Sequence, residues 1–344
     1  MKHVFAVLIL LLIHFYNITC ESVFDNTLPS NKKLVFTKLI SKSNQYNYKP
    51  IIVNATLKKN GQILWKPTSF PTQSFYLMVI PDFRVWKETK TESFLHRFQN
   101  SLQNLSSNYK NLSGLILDAE MSPIQTKNEY STFVCSLFTG IKNFKSHWMF
   151  SIAIFPPNHP DQNNYYDLQR LFTCSDHWIL MLYDEHNPRT KEGPVSSSDW
   201  ITNNLKTIET ALIQFNQTKS IHSKSGSNNK NLIPAENDSN PNTSKQNFIS
   251  ITSIRKKIYL GLPLYGYAKS KSGKFGKVKP IQNWMHLPEF QNAKTDYVKF
   301  NHMDEVIYLP TAYFLRKWEQ NSIELGYSGV AYWRKEFGTQ YLDP

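Results

Sequence analysis

The chain has 344 residues, 40% hydrophobic and 14% aromatic, with a formal net charge of +13. That length and apolar content can bury a sizeable core, either as two small domains or as one large α/β barrel. The basic balance favours anionic partners such as cell-wall polymers or a membrane surface, but Lys and Arg are scattered rather than striped along one helix, which argues against nucleic acid.

Residues 1–20 read as an export signal. Lys2 and His3 are followed by ten apolar residues, Val4 to Ile13, too short to span a bilayer but suited to a signal core. The expected location is therefore secreted or cell-envelope. Asn17-Ile18-Thr19-Cys20 faintly resembles a bacterial lipoprotein box, which Asn17 and Thr19 fit poorly, so lipid anchoring at Cys20 is the lesser reading. No later stretch has the length and apolarity of a transmembrane helix. Beyond the signal, Cys135 and Cys174 remain. They can form one disulfide or stay as separate buried thiols. No Cys/His cluster has zinc-site spacing, so neither metal nor cofactor is expected.

From residue 74 onward, strand-like and helix-like runs alternate, as in βα units around a parallel sheet. Phe75–Ile80 reads as a strand and Thr91–Leu105 as a helix, with Phe94, Leu95, Phe98, Leu102 and Leu105 at helical spacing. Gly114–Glu120 is the next strand, Glu129–Phe144 a helix, Trp148–Ile154 a strand closed by Pro156-Pro157, and Tyr166–Phe172 a short helix. Trp178–Tyr183 is a strand ending in Asp184-Glu185-His186, and Asp199–Phe215 a helix. Residues 216–250 are rich in Asn, Ser and Lys and read as a disordered, low-complexity insertion. Lys257–Pro263 is a strand, and residues 266–300 read as a long loop. Pro310–Asn321 is a helix with Pro310 in its first turn, and Tyr327–Trp333 is the last strand. Two further strands must come from residues 21–73, with Val35–Ile40 and Ile63–Trp65 as candidates. The expected architecture is one (β/α)8 barrel domain over residues 21–344.

Three polar clusters stand where apolar strands end: Asp118/Glu120, Tyr183/Asp184/Glu185 and Tyr332/Trp333/Arg334. On a strand, Asp118 and Glu120 point the same way. Two acids on the inner face of an apolar strand are costly unless paired or used, and a like-charged neighbour can keep one carboxyl protonated for general acid catalysis. Such acids could instead simply end a strand in solvent. In a parallel barrel, however, all C-terminal strand ends converge on one face, so the three clusters would share a cleft. His186 reads mainly as a strand-end residue bonded to the turn near Gly193 rather than as a second proton carrier.

LDAE at 117–120, MLYDEH at 181–186 with Gly193-Pro194-Val195, GLPLYGY at 261–267 and GVAYW at 329–333 together resemble glycoside hydrolase family 18, closest to its bacterial spore and cell-wall peptidoglycan branch. The resemblance implies a hydrolase of β-1,4-linked N-acetylglucosamine polymers, of peptidoglycan or chitin type, with the substrate's own acetamido group as nucleophile; the signal reading makes it exported, and a monomer is expected. It implies Glu120 as general acid and Asp118 as the holder of the acetamido N–H. Tyr183 and Asp184 would steady that group, and Trp333 would floor the sugar subsite, with Tyr265 and Arg334 as further cleft contacts. The alternative it allows is a catalytically inactive, carbohydrate-binding relative. Two departures stand out: Ser113 and Ile116 occupy positions that are usually acidic in the family motif, and Ala119 stands where an aromatic is common.

Overall fold

A computed structural model describes residues 32–38, 47–67, 71–82, 92–119, 127–160, 166–225 and 250–342. In chain order the strands are β1 (Lys33–Thr37), β2 (Lys49–Leu57), β3 (Ile63–Leu64), β4 (Phe75–Pro81), β5 (Leu112–Asp118), β6 (Met149–Ile154), β7 (His177–Met181), β8 (Ile258–Pro263), β9 (Tyr265–Ser270), β10 (Phe275–Pro280), β11 (Tyr297–His302), β12 (Glu305–Pro310) and β13 (Gly329–Trp333). The helices are α1 (Glu92–Asn108), α2 (Lys127–Phe144), α3 (Leu168–Thr173), α4 (Ser198–Ser225), α5 (Ile251–Arg255), α6 (Pro288–Gln291), α7 (Ala312–Glu324) and α8 (Thr339–Leu342).

Eight parallel strands close on themselves in the order β1-β13-β8-β7-β6-β5-β4-β2, with β2 returning to β1. This is the expected (β/α)8 barrel. Its strands are short apolar runs because both of their faces are covered, by the barrel interior on one side and the helices on the other. All six residues of β8 are buried, as are the last five of β6. Helix α1 turns Phe94, Phe98, Leu102 and Leu105 inward, one stripe of a 3.6-residue period. Each such side chain contributes roughly 1.5–3 kcal/mol through burial. Cys135 of α2 is disulfide-bonded to Cys174, the residue that caps the C-terminus of α3.

The structure corrects four sequence-based expectations. The second barrel strand is Lys49–Leu57, whereas Ile63–Leu64 is a short antiparallel edge strand on it. Pro50 and Asn54 interrupt the apolar run of that barrel strand. Asn54 sits at φ 92 where the pairing with β4 shifts register, a bulge that turns its side chain to solvent. The stretch read as a long loop is an antiparallel sheet ordered β10-β9-β12-β11, inserted between β8 and α7. Pro310 ends β12 instead of opening a helix: Thr311 caps α7, its hydroxyl accepting from Phe314 N–H at 3.0 Å. Finally, α4 runs on to Ser225, into the segment read as disordered. Residues 226–249 of that segment, and the stretch read as an export signal, lie outside the described residues. Among the described residues, no helix is long and apolar enough to cross a membrane, and no group of three or more His, Cys, Asp and Glu side chains could hold a metal ion.

Candidate active site

Asp118, Tyr183, Asp184 and Trp333 lie at or just beyond the C-terminal ends of barrel strands β5, β7 and β13. Asp118 is the last residue of β5 and is only 8% exposed. Trp333 ends β13, half-buried, with its ring against Phe36 at 5.0 Å. The peptide between Trp333 and Arg334 is cis. The Trp333 carbonyl accepts from Leu264 N–H at 2.8 Å, which binds the end of β13 to the segment joining β8 and β9. Glu120 lies outside the described residues.

Ile116 is fully buried one inward-facing position below Asp118. It pairs with Ser151 of β6, whose buried hydroxyl has no hydrogen-bond partner among the described residues. The floor under Asp118 is therefore an apolar side chain beside one small polar group. Ala119, where an aromatic is common, is 3% exposed and so is a packed position.

Asp184 stands three residues beyond the end of β7, and its backbone adopts φ 63. This left-handed conformation costs a non-glycine residue roughly 1–3 kcal/mol and persists only where the surroundings fix it. Two phenols do so. Tyr265 Oη donates to Asp184 Oδ1 at 2.5 Å and Tyr267 Oη donates to the same oxygen at 2.8 Å. Tyr265 and Tyr267 are two apart on β9, so both point to one face. Burial beside Asp184 pushes the Tyr265 hydroxyl well above its ordinary pKa, so it remains a proton donor across the physiological range. Tyr183, nearly buried, packs its ring against Tyr265 at 6.3 Å.

Tyr265, expected as a cleft contact, is buried and supports Asp184. Tyr267 was not singled out from sequence. Its signal was the Tyr-Gly-Tyr alternation, legible only once residues 265–270 are known to be a strand. Arg334 forms an ion pair with Glu336 at 3.1 Å and stacks on Phe337 at 4.6 Å. Glu336 also accepts from Thr37 Oγ1 at 2.9 Å and from Lys38 N–H at 2.7 Å, so Arg334 belongs to a network that closes the barrel across β13 and β1.

The loop after Asp184 is built for support. Burial pushes the Glu185 carboxyl up in pKa, against the lowering effect of hydrogen bonds from Ser197. His186 Nδ1 meets the Pro194 carbonyl at 3.0 Å, and a Cβ on Gly193 would lie 2.5 Å from the His186 ring. His186 is therefore a loop-bonding residue, and Gly193 is the residue that lets the loop close over it.

An eight-stranded parallel barrel whose carboxylates and aromatic rings meet at its C-terminal face has the architecture of a barrel enzyme. The family model of glycosyl hydrolases family 18 matches residues 83–334, and the chain belongs to that family. Its class is accordingly that of a glycosidase. No curated protein matches the sequence. Among solved structures, the spore cortex-lytic enzyme SleL of Bacillus cereus is similar at 14% identity and a TM-score of 0.62, over 90% of this chain and 72% of that one. A chitinase from Chromobacterium violaceum is similar at 16% identity and a TM-score of 0.59, over 89% and 95% of the two chains. A mutant class V chitinase from Nicotiana tobaccum in complex with NAG4 is similar at 14% identity and a TM-score of 0.60, over 91% and 99%.

Proposed function

We propose that this glycosidase is exported and cleaves β-1,4-linked N-acetylglucosamine-containing polymers, with the substrate's acetamido group as nucleophile and the anomeric configuration retained. The observation that carries this reading is the Asp184 carboxylate, fixed by two phenols at the barrel face where β5 ends in Asp118 and β13 in Trp333. A carboxylate held by neutral donors keeps its charge, so it can orient the acetamido group while that group attacks the anomeric carbon. Asp118 takes the acetamido N–H and stabilises the oxazolinium charge. Glu120 protonates the departing glycosidic oxygen, and Tyr183 steadies the acetamido group beside Asp184. Trp333 offers its ring to the apolar face of a pyranose.

Peptidoglycan is favoured over chitin by the +13 charge and by likeness to a spore cortex-lytic enzyme. Export is supported by the N-terminal segment and by the Cys135–Cys174 disulfide, a bond that persists in oxidising compartments. A second reading, an inactive carbohydrate-binding relative, is favoured by Ile116 where the family motif usually carries an acid.

The test is incubation of the purified chain with chitin oligomers and with peptidoglycan, reading new reducing ends by mass spectrometry. Cleavage lost in Glu120→Gln and Asp118→Asn supports the proposal. Glycan binding without cleavage selects the second reading, and neither binding nor cleavage overturns both.

A further inference from the structure

We infer that Tyr267 is a positioning residue for the reaction, through which the inserted sheet sets the orientation of the Asp184 carboxylate. The inference rests on the role proposed above for Asp184.

Three observations carry it. First, the two hydroxyls that meet Asp184 Oδ1 come from β9, the opening strand of the inserted sheet, and not from a barrel strand. The carboxylate rises from β7 but is aimed by another structural unit.

Second, Tyr267 is itself held rigidly. It is 5% exposed and meets Phe275 of β10 at 5.7 Å, and Phe275 meets Tyr308 of β12 at 6.2 Å. Tyr267 and Tyr308 are paired across β9 and β12. Between the two tyrosines of β9 lies Gly266, where a Cβ would stand 1.9 Å from the Tyr308 carbonyl oxygen. Only glycine lets β12 press this close, so the aromatic row is locked against β9.

Third, the inserted sheet is tied to the barrel next to the Asp184 loop. Asp296, which precedes β11, accepts from Ser198 N–H at 2.6 Å and from its hydroxyl at 2.9 Å, at the start of α4. Lys269 of β9 pairs with Glu192 at 3.1 Å. The inserted unit therefore holds this segment at residues 192 and 198, and Tyr265 and Tyr267 are its contacts with the Asp184 oxygen.

Tyr265 and Tyr267 place two donors on one carboxylate oxygen, and the second donor narrows the range of orientations the first allows. It also stabilises the ionised carboxylate, as donors to a charged acceptor do.

The experiment compares wild type, Tyr267→Phe and Tyr308→Phe on a chromogenic β-linked N-acetylglucosamine dimer, with kcat, KM and pH profiles. The prediction for Tyr267→Phe is a kcat lower by about tenfold to a hundredfold with KM within about twofold, the scale of one hydrogen bond to a charged group. The acid limb of its profile moves to higher pH. Tyr308→Phe, which perturbs the same aromatic row away from Asp184, keeps the wild-type profile. A Tyr267→Phe variant with wild-type kcat and pH profile overturns the inference and leaves the functional proposal standing. So does a loss shared equally by both variants with an unmoved pH profile, which would mark a purely structural role. Absence of turnover by the wild-type chain on this substrate, on chitin and on peptidoglycan overturns the functional proposal and this inference with it.

Discussion

The two ends of the barrel carry titratable groups in contrasting ways. At the N-terminal end, carboxylates are neutralised by cations: Asp176 pairs with Lys142 at 2.6 Å and Glu209 with Arg255 at 2.7 Å. Asp176 also accepts from Phe150 N–H at 2.7 Å and Glu209 from Tyr327 Oη at 2.6 Å. Lys257 is spent on the carbonyls of Phe172 and Ser175, each at 2.8 Å. At the C-terminal end Glu336 is likewise paired with Arg334, but Asp184 is held by the phenols of Tyr265 and Tyr267. A cation fixes a carboxylate and cancels its field, whereas a phenol fixes it and leaves the charge to act on something else. The first arrangement closes a barrel; the second suits chemistry.

The largest contrast should come from matched carboxylate-to-amide changes at the two ends. Asp184→Asn and Asp118→Asn are expected to lower kcat by about a hundredfold to a thousandfold, the scale for loss of a group aimed at developing charge, with little change in melting temperature. Steady-state kinetics beside calorimetry checks this. Equal losses from Asp176→Asn, at the opposite end, would break the distinction.

Next in size is the Cys135–Cys174 disulfide, close in sequence to Asp176 and closing a separation of 39 residues. Replacing both cysteines by Ser should cost about 3–4 kcal/mol by the chain-entropy model, read by urea denaturation, with kcat unchanged. Asp176→Asn itself should cost about 1–3 kcal/mol, since it weakens both the Lys142 pair and the Phe150 hydrogen bond.

The smallest effect concerns Lys49, which donates to Tyr76 Oη at 2.8 Å at the start of β2. Burial lowers its pKa from 10.5 to about 8. Its folded pKa lies below the unfolded one, so between these values the unfolded chain binds more protons and stability rises with pH. The gain across pH 8 to 10 should be about 1–2 kcal/mol after allowance for partial solvent screening. Urea midpoints at pH 7.5 and 9.5 measure it, and Lys49→Met should flatten the rise.

How far the sequence disclosed all this depended on where each polar group sits. The central barrel strands were legible because burial on both faces leaves unbroken apolar runs, as in Phe75–Ile80 and Trp148–Ile154. The second barrel strand was not, because Asn54 in its bulge and Pro50 near its start imitate a loop. The inserted sheet was hidden for a related reason. Its strands alternate Lys with Val or Tyr, its outer strands are largely exposed, and Gly266 and Gly276 punctuate it. Asp118, Tyr183, Asp184 and Trp333 stand out as candidates in the sequence because each lies at or just past the end of an apolar run. Tyr267 acts on Asp184 from 83 positions away, and that relation exists only in the folded chain.

The most direct measurement is proton NMR of the anomeric products during early hydrolysis of an N-acetylglucosamine hexamer by the wild-type chain. Retention through the acetamido group requires that the β-anomer appears first and then mutarotates. Initial α-anomer, or no product from either this hexamer or peptidoglycan glycan strands, would contradict it.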